Sequence, residues 1–258
     1  MFPIRDDNPH VRVPYATFVL IGLNVVVWVL LQGAGTEPQL SRSICQLALI
    51  PGELLGNVDA GVRIQLSAAT ECVLGTTTAW HTVLSSMFMH GGWLHLIGNL
   101  WFLWIFGGNV EDAMGRGRFV LFYLLCGLAA AAAQIASGPE STIPMVGASG
   151  AIGGVMGAYI VLYPRVSVHM LIILGFFVTT VAVPAILMLA YWFALQLLSG
   201  LASLGQTGGG VAFWAHAGGF LAGTLLVFAF RNMVYLREHP YYGWNASPNR
   251  SFKRIGRR

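Results

Sequence analysis

Charge is scarce in this chain. Lys, Arg, Asp and Glu together supply 9% of its 258 residues, against roughly 25% in an ordinary soluble domain. A water-soluble fold of this size needs far more polar surface, so the soluble globular class is excluded. The 56% hydrophobic content excludes disorder, which requires low hydrophobicity. Cysteine is scarce too: Cys45, Cys72 and Cys126 form no CxxC pair, which argues against a zinc or redox motif. Cys45 and Cys72 fall in one polar stretch. They either pair there or are two unrelated buried thiols, and the spacing leaves both open. What remains is a membrane protein whose solvent is mostly lipid.

The chain carries a net charge of +4, and seven of its fourteen basic residues lie beyond residue 230. A basic tail beside anionic lipid explains this excess better than nucleic-acid binding does. A bilayer crossing needs about 20 apolar residues. Six segments qualify or come close: 16–31, 94–108 (with a possible extension to 114), 119–136, the short 149–163, about 179–198, and 212–230. The first lacks a small-x-small cleavage site, so it reads as a retained anchor. Residues 168–178 are apolar but too few to span, and read as interfacial or as an extension before the fifth helix. Six spans place the N-terminus, the 111–118 and 164–169 loops and the tail on one side, with 12 of the 14 basic residues. That asymmetry orients both termini to the cytoplasm.

The predicted fold is therefore all-α: a polytopic six-transmembrane-helix bundle in an integral, multi-pass membrane protein of a bacterial inner (plasma) membrane. Residues 1–15 form a cytoplasmic N-terminus and 16–230 the membrane domain, with an extracytoplasmic loop at 32–89. Residues 231–258 form a basic cytoplasmic tail.

Polar side chains inside spans are costly and are functional candidates by default. His95 and Asn99 open the second span, Ser149 the fourth and His216 the sixth; Asn24, Gln134 and Gln196 are also intramembrane. Spans two, four and six run in the same direction, so charge counting alone brings the first four residues to one depth. Gly150 and Gly154, Gly153 and Gly157, and Gly219 and Gly223 repeat at four-residue spacing, which permits close helix contact. Two such bare faces allow a serine to meet an imidazole, at the roughly 2.6–3.2 Å that nucleophile activation requires. The fourth span covers only about 22 Å, so its serine end lies beneath the surface of a roughly 30 Å apolar core.

The run MHGGWLHLIGNLWFLWIFG, the following VEDAMGRGRFVLFYLLCG, VGASG and AHAGGFLAG together resemble the rhomboid family of intramembrane serine proteases over residues 80–230. The resemblance implies Ser149 as nucleophile and His216 as general base. It implies an oxyanion hole built from the Ser149 N–H, His95 and Asn99. Gly147, Gly150 and His90 would shape the site, and Glu111 and Arg118 would brace the cytoplasmic turn. No acidic residue lies on the serine and histidine spans, so the expected unit is a dyad whose imidazole is held by packing. The resemblance also places substrate access between spans two and five. The glycine-rich 201–210 loop is a candidate cap.

The implied partners are single-pass or other transmembrane protein substrates and membrane lipids, with no nucleic acid, no cofactor and no metal. The oligomeric state is not set by the sequence. The competing readings are a non-proteolytic rhomboid-like protein that binds membrane helices, and a transporter. No Asp or Glu occurs within the six apolar segments, whereas transporters commonly pair broken helices with intramembrane carboxylates. A metal hydrolase is a further option, but no HExxH motif occurs.

Overall fold

The computed structural model describes residues 2–68, 70–75, 79–203, 211–237, 239 and 241–243. Most of them are helical. A short strand β1 (Phe2–Asp6) precedes helix α1 (Tyr15–Leu30). Short helices α2 (Gln39–Leu47) and α3 (Pro51–Leu55), a hairpin of β2 (Arg63–Ser67) and β3 (Thr70–Val73), and the single turn α4 (Thr82–Ser85) follow. Then come the long helices α5 (Trp93–Met114) and α6 (Arg116–Ser137), and the shorter α7 (Ser149–Leu162). Strands β4 (Ser167–Leu174) and β5 (Phe177–Pro184) lead into α8 (Ala185–Ala202), α9 (Phe213–Phe230) and the short α10 (Met233–Arg237).

Three helices, α6, α8 and α9, are long and apolar enough to cross a membrane by length and composition, and α1 and α7 are shorter apolar helices. α7 is the central rod. Every residue from Gly150 to Tyr159 is buried, which its near absence of polar side chains allows. Glycines on both helices set how closely α9 approaches. A Cβ on Gly219 would overlap the carbonyl oxygen of Gly150, and one on Gly223 that of Gly154. Backbone therefore lies against backbone, the small-residue packing that the glycine spacing predicts.

The molecule has two distinct ends. Trp28 and Trp93 meet edge-to-face at 5.4 Å, joining the end of α1 to the start of α5. At the other end, the Glu111 carboxylate accepts from the Ala16 and Thr17 backbone N–H groups at 3.1 and 2.8 Å and from the Thr17 hydroxyl at 2.8 Å. It thereby satisfies amides that the first turn of α1 leaves unpaired. Arg118, at the start of α6, donates to the Phe230 carbonyl at the end of α9. A single residue, Gly115, turns α5 into α6 at φ +85°, a conformation that favours glycine.

The expectation of an all-α chain needs correction, because the described residues include two small sheets. β4 and β5 pair in register from Ser167 opposite Pro184 to Leu174 opposite Phe177, and β1 adds antiparallel to β4. Residues 168–178 are thus part of a hairpin and no extension of the fifth helix. The fifth helix begins at Ala185, not near 179. The physical reason is composition: Val and Thr fill five of the eight positions of β5, Val and Ile three of the eight of β4, and these branched side chains favour strands. Gly175, at φ +60°, supplies the tight reversal.

The described residues of 32–89 form a compact layer of short helices and the β2–β3 hairpin. Cys45 and Cys72 are joined by a disulfide, and Cys72 packs in a cluster with Ile50 and Leu74. Closing a separation of 27 residues stabilises the layer by about 3.5 kcal/mol on chain-entropy grounds. Most of the proposed cap segment, residues 204–210, lies outside the described residues, as does most of the basic tail.

Candidate active site

The layer of residues 32–89 holds the segment that leads into α7. Leu49 and Met145 exchange backbone hydrogen bonds at 3.0 and 2.7 Å, and the Gly147 N–H donates to the Ser86 carbonyl at 2.9 Å. Gly147 then sits at φ +130°, which L side chains rarely adopt. This turn presents Ser149 as the first residue of α7.

His216 lies in the first turn of α9. That turn is tied to α6 by the Ala215 N–H, which donates to Gln134 Oε1 at 3.2 Å. Across the glycine seam, His216 Nε2 and Ser149 Oγ are 2.7 Å apart. On the other side of the ring, Nδ1 lies 2.8 Å from Gln196 Oε1 on α8. An amide oxygen only accepts, so Nδ1 carries the proton and Nε2 is left to accept from the serine hydroxyl. Trp192, one turn earlier on α8, faces the same imidazole at a centroid separation of 5.8 Å.

The sequence expectation that packing alone holds this ring is therefore incomplete. Gln196 was visible as an intramembrane polar residue, but its register against His216 depends on how α8 packs. Gln134 was visible in the same way.

His95 and Asn99 approach from the first two turns of α5. The Gly91 N–H donates to His95 Nδ1 at 3.3 Å, so Nε2 is the protonated nitrogen. A Cβ built on Gly147 would lie 2.8 Å from His95 Nε2 and 3.3 Å from Ser149 Oγ. The glycine thus leaves a gap about one atom wide between imidazole and serine. Asn99 is 7% exposed, and its Nδ2 has no hydrogen-bond partner among the described residues. A buried, unpaired donor costs stability and calls for an explanation. His90 lies behind His95, with ring centroids 5.2 Å apart. Its backbone is clamped by Gln32, whose amide accepts from the His90 N–H at 2.8 Å and donates to its carbonyl at 2.7 Å.

These groups face a cavity of about 1120 Å³ whose walls include His95, Asn99, Ser149 and His216, with Phe102 of α5 and Trp192 of α8 also lining it. Of the residues singled out from sequence, His95, Asn99, Gly147, Ser149, Gly150 and His216 gather at this end of the bundle, with His90 packed behind. Glu111 and Arg118 lie at the opposite end.

A family model, the rhomboid domain, matches residues 77–233, more than half of the chain. The chain belongs to the rhomboid family. With its apolar helices, that membership makes it an integral membrane protein. The rhomboid protease GluP of Bacillus subtilis (strain 168) is 36% identical over 147 residues, 57% of this chain and 26% of GluP. The chloroplastic Rhomboid-like protein 11 of Arabidopsis thaliana is 40% identical over 76 residues, 30% of this chain and 27% of the relative. RHOMBOID-like protein 2 of the same plant is 31% identical over 165 residues, 64% of this chain and 45% of the relative. This rhomboid chain thus spans less than half the length of the curated relatives it matches.

Proposed function

We propose that the chain is an intramembrane serine endopeptidase that cuts transmembrane protein substrates with Ser149 and His216. The observation that carries the reading is the 2.7 Å contact between His216 Nε2 and Ser149 Oγ facing a large cavity in a rhomboid domain. His216 removes the hydroxyl proton as Oγ attacks the scissile carbonyl carbon. Negative charge gathers on the carbonyl oxygen, and three donors are suited to receive it. They are the Ser149 N–H at the positive end of α7, His95 Nε2–H and Asn99 Nδ2–H. The unpaired state of Asn99 Nδ2 supports this role, since such a donor acquires its partner when the oxyanion forms. The imidazolium then returns its proton to the leaving amine. Water from the cavity, deprotonated by the same imidazole, hydrolyses the acyl-enzyme.

In this reading α1, α5, α6, α7, α8 and α9 make six crossings, with both termini cytoplasmic. The disulfide between Cys45 and Cys72 supports an oxidising compartment for residues 32–89. The bacterial inner membrane remains the proposed location. α7 covers about 21 Å, less than a roughly 30 Å core, so the scissile bond must reach a point below the surface. A substrate helix must expose its carbonyls to do so. Segments with glycine and other poor helix formers unwind at lowest cost.

The test is cleavage of a single-pass substrate by the purified protein in detergent. Wild type should cleave, and Ser149→Ala and His216→Ala should not, with their melting temperatures preserved. Wild-type cleavage by folded Ser149→Ala refutes the nucleophile. Binding of substrate without cleavage by wild type favours the non-proteolytic reading.

A further inference from the structure

We propose that Gln196 is the positioning residue of this site, completing a Ser149–His216–Gln196 relay in which a neutral amide on α8 orients the base. The inference rests on the serine-protease reading and adds a third group to it. Its Oε1 lies 2.8 Å from His216 Nδ1, on the opposite side of the ring from Ser149 Oγ at 2.7 Å. Both ring nitrogens are therefore committed, and in only one sense. Nδ1–H donates to the amide and Nε2 accepts from the hydroxyl. The other tautomer would aim a donor at a serine that must lose its proton, and a lone pair at an oxygen that has no hydrogen to give.

The choice of an amide has a physical logic. An ionised carboxylate at this depth carries a desolvation cost of several kcal/mol. A neutral acceptor selects the tautomer without that cost. It also leaves the imidazole uncharged in the resting site, as a general base must be. α8 supports the ring twice from one face, since Trp192 and Gln196 are four residues apart and both meet His216. The serine and base belong to α7 and α9, which the glycine seam locks together. The orienting group comes from a third helix whose other face is largely open, with Leu187, Tyr191 and Leu198 exposed. The tautomer of the base is consequently set by how α8 is seated, and not by the seam alone.

Two near-isosteric variants separate orientation from packing. Gln196→Met keeps the bulk and removes the acceptor; Gln196→Glu keeps the acceptor and adds a titratable charge. Each is compared with wild type and Ser149→Ala by reconstituted cleavage, measuring kcat and KM separately and kcat/KM against pH. Gln196→Met should lower kcat about tenfold, the worth of one hydrogen bond, with KM within about twofold and the melting temperature unchanged. Gln196→Glu should restore much of that loss. It should also move the acid limb of the kcat/KM profile to higher pH, because a neighbouring anion favours the protonated imidazole. Full kcat in Gln196→Met overturns the proposal. So does an equal loss in both variants with an unmoved profile, the pattern of a packing role. In either case inactivity of Ser149→Ala leaves the protease reading standing, whereas activity in that variant removes the reading itself.

Discussion

Replacing Gly219 by alanine should uncouple the serine from its base without touching either side chain. The added Cβ would overlap the Gly150 carbonyl oxygen, which is backbone and cannot rotate away. Real Cβ atoms essentially never approach such an atom closer than 3.0 Å, so α7 and α9 must part by about 1 Å or more. The Ser149–His216 contact starts at 2.7 Å. A parting of that size takes it past the roughly 3.2 Å limit for a productive hydrogen bond. A misplacement of about 1 Å costs on the order of 10²-fold in rate, and overpacking costs about 1–3 kcal/mol of stability. Gly153→Ala is the graded control, since its Cβ would lie 3.0 Å from the His216 carbonyl and requires only a small adjustment. The assay is reconstituted cleavage alongside thermal unfolding. Gly219→Ala should lose about 10²-fold in kcat while still folding, and Gly153→Ala should lose less than tenfold. Retention of kcat within about threefold by Gly219→Ala would show that the glycine seam does not set the catalytic distance.

Three further outcomes follow from particular contacts. Asn99→Ala should lower kcat by about 10²–10³-fold, the usual consequence of deleting one oxyanion donor, with little change in KM in the cleavage assay. Opening the disulfide by Cys45→Ser with Cys72→Ser should destabilise the protein by up to about 3.5 kcal/mol, read in a denaturation curve. It should also slow cleavage, because the same layer holds Met145 and Gly147 in front of Ser149. Asp6 lies near Tyr159 and accepts from Asn109 Nδ2 at 2.9 Å. Burial pushes its pKa from 3.8 up to about 6, against the lowering effect of the Tyr159 hydrogen bond. The folded state then holds a proton that the unfolded state has released between these values, so the stabilisation present at low pH is lost as pH rises through about 6. Asp6→Asn should flatten that dependence in melting curves taken from pH 4 to 7.

The residues of the candidate site were legible because their signals are local and redundant. A serine heading a glycine-striped segment, a histidine heading another, and a His–Asn pair at four-residue spacing each read directly from the chain. Charge asymmetry supplied the common direction of the three helices. The 167–184 hairpin was not legible for an equally physical reason. A continuous apolar run carries no period, so VHMLIILGFFV fits a buried strand as well as a helix. Its pairing with Phe2–Asp6 spans more than 160 positions of sequence. The disulfide is not legible either, because spacing alone does not fix cysteine geometry. Gln196 was visible as a polar residue in an apolar helix, but its partner depends on the rotation of α8 about its own axis, which a helix apolar on nearly every side does not reveal.

The most direct measurement is covalent labelling of the intact protein in detergent by a fluorophosphonate probe, with the modified residue located by mass spectrometry. The account predicts a single adduct on Ser149 in wild type, formed at least about 10²-fold more slowly in His216→Ala. Equal labelling rates in the two proteins, or an adduct on any other residue, would contradict it.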